Sequence, residues 1–130
     1  MNVFNRDAIV SASAQLKRRV EPVAIQLNGQ AGVIYVREVL GIERESYSDK
    51  LHAATKDGGR LKNYAAELFL MYASDADGAP MFVETDLPII VKLPAAVLDS
   101  VVAAGLKLNG MDEKAQADAL KNLSVEQTDA

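Results

Sequence analysis

The chain has 130 residues, 49% hydrophobic and 25% charged, enough for one domain with its own core and unlike a disordered sequence. A net charge of −4 and a pI of about 4.9 argue against a protein that binds nucleic acid by neutralising phosphates. The absence of cysteine excludes disulfides and thiolate metal sites, and no apolar run approaches the ~20 residues of a membrane-spanning helix.

The N-terminus lacks a basic-then-apolar leader, so export by a cleaved signal is not expected. Asn5-Arg6-Asp7 opens the first predicted helix, with Asn5 as its cap and Asp7 near the positive end of the dipole. Ile9, Ala12, Ser13, Leu16 and Val20 give it a weak apolar stripe, and Glu21-Pro22 is expected to stop it. Lys17-Arg18-Arg19 then reads as the solvated end of that helix.

A β-hairpin follows. Val23-Ala24-Ile25-Gln26-Leu27 alternates apolar with small or polar residues, and Val33-Ile34-Tyr35-Val36-Arg37-Glu38-Val39 is rich in β-branched residues. Asn28-Gly29-Gln30-Ala31-Gly32 links them as a five-residue loop with two glycines. Everything downstream reads as helical, so this hairpin is expected to be the only sheet of any size. It could cap a helical core, or offer its edge to a partner.

Glu43-Arg44-Glu45 starts a polar surface helix that Asp57-Gly58-Gly59 ends. The strongest helical pattern covers 61–74, where Leu61, Tyr64, Ala65, Leu68, Phe69 and Tyr72 share a face. It is expected to be central. Asp75 to Pro80 is a turn by composition, Met81-Phe82-Val83 a short extended segment, and Thr85-Asp86-Leu87-Pro88 the opening of a short helix. A further helix begins after Pro94 and runs to Leu108, ending at Asn109-Gly110. Gly105 inside it predicts close helix contact, since glycine there otherwise costs ~1 kcal/mol. An alanine-rich last helix covers 112–123, and 124–130 is expected to be a flexible tail dispensable for folding. The fold class is therefore α+β: a mostly helical single domain, 1–123, with one N-terminal β-hairpin.

Catalytic chemistry is hard to assemble from these parts. His52 is the lone histidine; with Asp49 and Glu45 it could begin a metal site or a small metal-dependent hydrolase, but no third ligand is evident beside Asp49 and His52. Asp75-Ala76-Asp77-Gly78 resembles the opening of a calcium loop but fails on register, because loop positions six and twelve hold Pro80 and Asp86. No phosphate loop, nucleophile elbow or zinc signature is present. Glu43, Glu45 and Glu67 read as surface carboxylates with nothing pairing them as acid and base. No catalytic, cofactor-binding or metal residue is assigned, no cofactor is expected, and a binding role is favoured.

The ordered landmarks resemble the tail assembly chaperones of long, non-contractile-tailed, lambda-like bacteriophages. They are Arg6-Asp7-Ala8-Ile9, the strand from Val33 to Val39, Glu43-Arg44, Ser74-Asp75-Ala76-Asp77-Gly78 with Met81-Phe82, Leu93-Pro94-Ala95-Ala96-Val97 and Leu108-Asn109-Gly110. The strand and the late Leu-Asn-Gly are the most distinctive. The loop before the strand lacks an expected aromatic residue, and Pro88 interrupts a helix. The resemblance implies a non-enzymatic siphovirus protein that binds and shields the tape measure protein and promotes tail tube assembly. It further implies self-association and a longer frameshifted form that recruits tail tube protein. No nucleic acid or membrane is implied as a partner. Such a protein acts in the host cytoplasm during infection and is absent from the mature virion. The alternative within a phage is a structural tail or head-completion protein that stays in the particle.

Overall fold

The computed structural model describes residues 3–111. Their order is α1 (Arg6–Ala14), β1 (Val20–Leu27), β2 (Gln30–Arg37), α2 (Gly41–Thr55), α3 (Tyr64–Tyr72), β3 (Ala73–Ser74), a 3₁₀ turn at Glu84–Asp86, α4 (Leu87–Ile90) and α5 (Ala95–Leu108). The architecture is α+β, with the hairpin at its N-terminal side as expected. The expected helix over 112–123 and tail over 124–130 lie outside the described residues.

Asn5 caps α1 as predicted, its side-chain oxygen accepting from the Ala8 N–H at 2.8 Å. The helix, however, ends at Ala14 rather than at Glu21-Pro22. Val20, Glu21 and Pro22 instead begin β1. Proline is tolerated there because β1 is an edge strand, where a missing N–H need not break a ladder. The stripe assigned to α1 had too little apolar area to bury, and α1 buries none of its residues.

The hairpin is tighter than the sequence reading allowed. Asn28 and Gly29 alone form the turn, with φ of 52° and 78°, and Leu27 pairs directly with Gln30. Two consecutive positive φ values define the two-residue turn whose twist matches antiparallel strands. Gln30, Ala31 and Gly32 therefore belong to β2, which closes at Arg37 and not Val39. The register places Val23 opposite Ile34 and Glu21 opposite Val36.

The sheet has a third strand. The helix expected over 61–74 spans only Tyr64–Tyr72, and Ala73–Ser74 pairs antiparallel with Tyr35 and Val36. The order β1-β2-β3 makes β2 central. Ile34 and Val36 turn one face of it inward, where Val23, Ile25 and Leu27 of β1 join them. That face packs on α5, whose Val97, Val101, Gly105 and Leu108 are buried at helical spacing. Helix α3 packs beside α5 and buries Ala66, Leu68, Phe69 and Tyr72. Of the predicted stripe, Leu68, Phe69 and Tyr72 hold, but Tyr64 at the first turn is 62% exposed.

Gly105 lies at the contact between the two helices. A Cβ built there would lie 2.8 Å from the Cβ of Tyr72, closer than side chains tolerate. The close approach expected of this glycine is thus present, and its named neighbour is the Tyr72 side chain.

Candidate functional site

Two charged clusters organise the surface around α2. The first centres on Glu43 in that helix's first turn. Glu43 reaches back to accept the Leu40 N–H at 2.8 Å, half of a capping box. Its carboxylate also takes both guanidinium nitrogens of Arg18, with Nη2 to Oε2 at 2.9 Å, and stands 3.2 Å from Arg37 Nη2. Arg37 donates Nε to the Met71 carbonyl at 3.0 Å and Nη1 to the Gly78 carbonyl at 3.4 Å. One carboxylate therefore ties together the segment before β1, the central strand, α2, the end of α3 and the turn after β3.

The burial of this cluster is unequal. The Arg37 side chain is 7% exposed and that of Glu43 24%. Burial lowers the Arg37 pKa from its usual value, opposed by Glu43 and reinforced by Arg18. An arginine remains charged regardless, so the cost falls on desolvation, which Glu43 and two backbone carbonyls offset. For Glu43, burial pushes the carboxyl up. The Arg18 hydrogen bond, the Leu40 N–H and the charges of Arg37 and Arg18 outweigh it and hold the group below the ordinary carboxylate value.

The second cluster joins α2, α3 and the 3₁₀ turn. Lys50 Nζ lies 2.6 Å from Glu84 Oε1 and 3.2 Å from Glu67 Oε2. The Glu84 hydrogen bond is the main influence raising the Lys50 pKa, against a smaller lowering by burial, with Glu67 also raising it. Between the clusters lies a cavity of about 310 Å³ lined by Tyr47, Met71 and Phe82 together with Arg37 and Glu43 on one side and Lys50, Glu67 and Glu84 on the other.

These contacts correct two readings of the sequence. Lys17-Arg18-Arg19 is not a solvated helix end: Arg18 is half-buried on Glu43, and Arg19 pairs with Glu38 at 3.4 Å and donates to the Leu108 carbonyl. Arg37 and Glu38 are adjacent but pair with different partners. Glu43 and Glu67 are ion-paired and not simple surface carboxylates. The sequence carried one signal for this, the three-residue spacing of a capping glutamate before α2. The arginines come from 25 and 6 positions upstream, and no local pattern joins them.

The residues considered for chemistry are placed plainly. Glu45, Asp49 and His52 are all exposed on α2. Among the described residues no three His, Cys, Asp or Glu side chains converge as metal ligands. Asp75 uses Oδ1 to accept the N–H groups of Asp77 at 2.8 Å and Ala79 at 3.0 Å. Its carboxylate thus closes the turn, while Gly78 takes φ of 85° and packs on Arg18.

Four landmarks of the family resemblance meet in space. Asn109 accepts the Val39 N–H at 2.9 Å and donates to the Arg37 and Gly105 carbonyls at 3.2 and 2.9 Å. The late Leu108-Asn109-Gly110 and the Val33 to Val39 strand are therefore one junction, and Glu43 and Gly78 flank the same strand.

Apolar surface is left over elsewhere. Phe4, Ile9, Val10 and Leu16 in and around α1 are exposed, as is Val33 on β2. The outer edge of β1 has no strand partner among the described residues. A groove of about 680 Å³ runs between α2, α3 and the end of α5.

No protein-family model matches the chain, and no curated protein matches it. Among solved structures it is similar to the bacteriophage HK97 tail assembly chaperone, with a TM-score of 0.52 and 17% identity. The match covers 78% of this chain and 94% of that one. At this identity the likeness is one of fold: nearly the whole of that chaperone's chain superposes on this one.

Proposed function

We propose that the chain is a phage tail assembly chaperone, a non-enzymatic protein that binds and shields the tape measure protein and promotes tail tube assembly. The observation that carries this reading is the fold shared with nearly the full length of the HK97 tail assembly chaperone. The two most distinctive sequence landmarks add to it, because the strand and the late Leu-Asn-Gly join at one structural junction. On this reading the chain acts in the infected cell and leaves before the particle is complete. A longer frameshifted product carries the contact to tail tube protein.

The physics suits such a task. A tape measure protein is long and largely helical, and its apolar stripes need cover until the tube encloses it. Helical partners dock in apolar grooves, and many weak copies hold by avidity yet release one by one. Exposed apolar residues on α1 and the open β1 edge are surfaces for self-association along such a partner. The test is co-expression with the product of the long reading frame expected downstream. The tape measure protein should become soluble and co-purify with this chain, and washed virions should lack it. Retention in virions, without effect on tape measure solubility, would favour a structural tail or head-completion protein.

A further inference from the structure

The sequence contains Asn-Gly twice, at Asn28-Gly29 and Asn109-Gly110, and the fold treats the two steps in opposite ways. Asparagine before glycine has a reaction of its own. The glycine nitrogen, with no side chain to shield it, gives up its proton to base and adds to the asparagine Cγ. The bond from Cγ to the amide nitrogen breaks, and ammonia leaves. Water then opens the resulting succinimide ring at one of its carbonyls, giving aspartate or isoaspartate. Water and base are the only co-reactants. The protein must supply a loose carboxamide and a backbone that can bring the nitrogen onto it.

At Asn109 both reacting groups are held. Its Oδ1 accepts the Val39 N–H at 2.9 Å, and its Nδ2 donates to the Arg37 and Gly105 carbonyls at 3.2 and 2.9 Å. The Gly110 N–H donates to the Lys107 carbonyl at 3.1 Å. Reaction there requires the junction between α5 and the strand exit to break first. The hairpin tip is the reverse case. Asn28 and Gly29 are exposed, with φ of 52° and 78°. The turn closes between Leu27 and Gln30, which leaves the Gly29 N–H outside the ladder. Among the described residues, no side-chain hydrogen bond holds the Asn28 carboxamide. A turn at the end of a two-strand ladder opens at small cost, whereas a hydrogen-bonded junction beside the core opens at a larger one.

We propose that Asn28 is a site of spontaneous deamidation in the folded chain, and that the fold protects Asn109 from the same reaction. The product at Asn28 carries a new negative charge. Its isoaspartyl form also adds a methylene to the backbone of a turn built for two residues with positive φ, so the Leu27–Gln30 pair weakens. The same change at Asn109 would turn an oxygen toward the Arg37 and Gly105 carbonyls and undo the junction. The inference stands whatever partner the chain serves.

The test ages the full chain at mildly alkaline pH, folded or in urea, and follows both asparagines by peptide mass spectrometry. Enzymatic methylation identifies isoaspartate, and Asn28→Asp supplies the standard for the aspartyl product. In urea the two sites should convert at similar rates, because the reacting dipeptide is the same. Folding should slow Asn109 roughly tenfold or more beyond any slowing of Asn28, since three hydrogen bonds must be lost before it reacts. In aged protein, hydrogen exchange at Gln30 should quicken while that at Val39 does not. Persistence of Asn28 in the folded chain, alongside its conversion in urea, would overturn the proposal. So would conversion of Asn109 in the folded chain as fast as that of Asn28.

Discussion

Arg37 and Glu43 face each other at 3.2 Å across the junction of β2 and α2, although Arg37 has Glu38 as its sequence neighbour. Arg37 ends β2 with its side chain buried, whereas Glu38 lies just beyond the strand and pairs with Arg19, so the nearest carboxylate in sequence is the wrong one in space. The pair is fixed by Met71 and Gly78 carbonyls on the arginine and by Arg18 and the Leu40 N–H on the glutamate.

Glu43→Gln should therefore cost about 1.5–3 kcal/mol at neutral pH, the range for hydrogen bonds to charged groups. The pH dependence has a definite sign. The Glu43 carboxyl is held below its unfolded value, so its contribution is full above that value and fades as pH falls through the folded one. Urea midpoints of the two chains should diverge at neutral pH and converge in acid. A constant gap across the range would mean that charge is not what Glu43 supplies.

Gly105→Ala sets two effects against each other. Helix propensity favours alanine by ~1 kcal/mol, whereas overpacking a core contact costs about 1–3 kcal/mol. The built Cβ lies 2.8 Å from the Cβ of Tyr72, which is 2% exposed. We expect net destabilisation and a lower Tm. A raised Tm would show that α3 and α5 separate easily.

Asn109→Ala removes three hydrogen bonds that pin the end of α5 to the strand exit. The expected cost is about 1–3 kcal/mol, because the Val39 N–H and the Arg37 carbonyl lose their partner. Asn109→Asp keeps the acceptor for Val39 but turns a donor toward two carbonyls into an oxygen, and should be no better. Hydrogen exchange at the Val39 amide is the local readout; unchanged protection would refute the role.

Phe69→Ala should be the most damaging single truncation, at about 3–5 kcal/mol. Phe69 is fully buried between the sheet and the helices and meets Phe82 with ring centroids 6.0 Å apart. A chain whose chemical denaturation midpoint hardly shifts would contradict this account of the core.

His52→Ala tests the absence of catalytic dependence. His52 is exposed on α2, and among the described residues its side chain makes no hydrogen bond or ion pair, only its backbone carbonyl accepting from the Thr55 hydroxyl. Tail assembly in complementation should be unchanged. Loss of assembly by a folded variant would reopen the hydrolase reading.

The sequence by itself determined what periodicity and local chemistry encode. Alternation placed Val23, Ile25 and Leu27 inward, the Asn5 cap opened α1, and Pro94 with Asn109 bounded α5. It also marked Gly105 as a close contact. Only the tertiary structure decided where competing signals ended. Residues 73 and 74 continue a helical pattern but leave it to pair with β2, because a strand's unpaired edge is worth more than one added helical turn. Arg18, Arg37 and Glu43 became one cluster for a similar reason. A buried guanidinium must find its carboxylate wherever the fold brings one, and that choice depends on residues far apart along the chain.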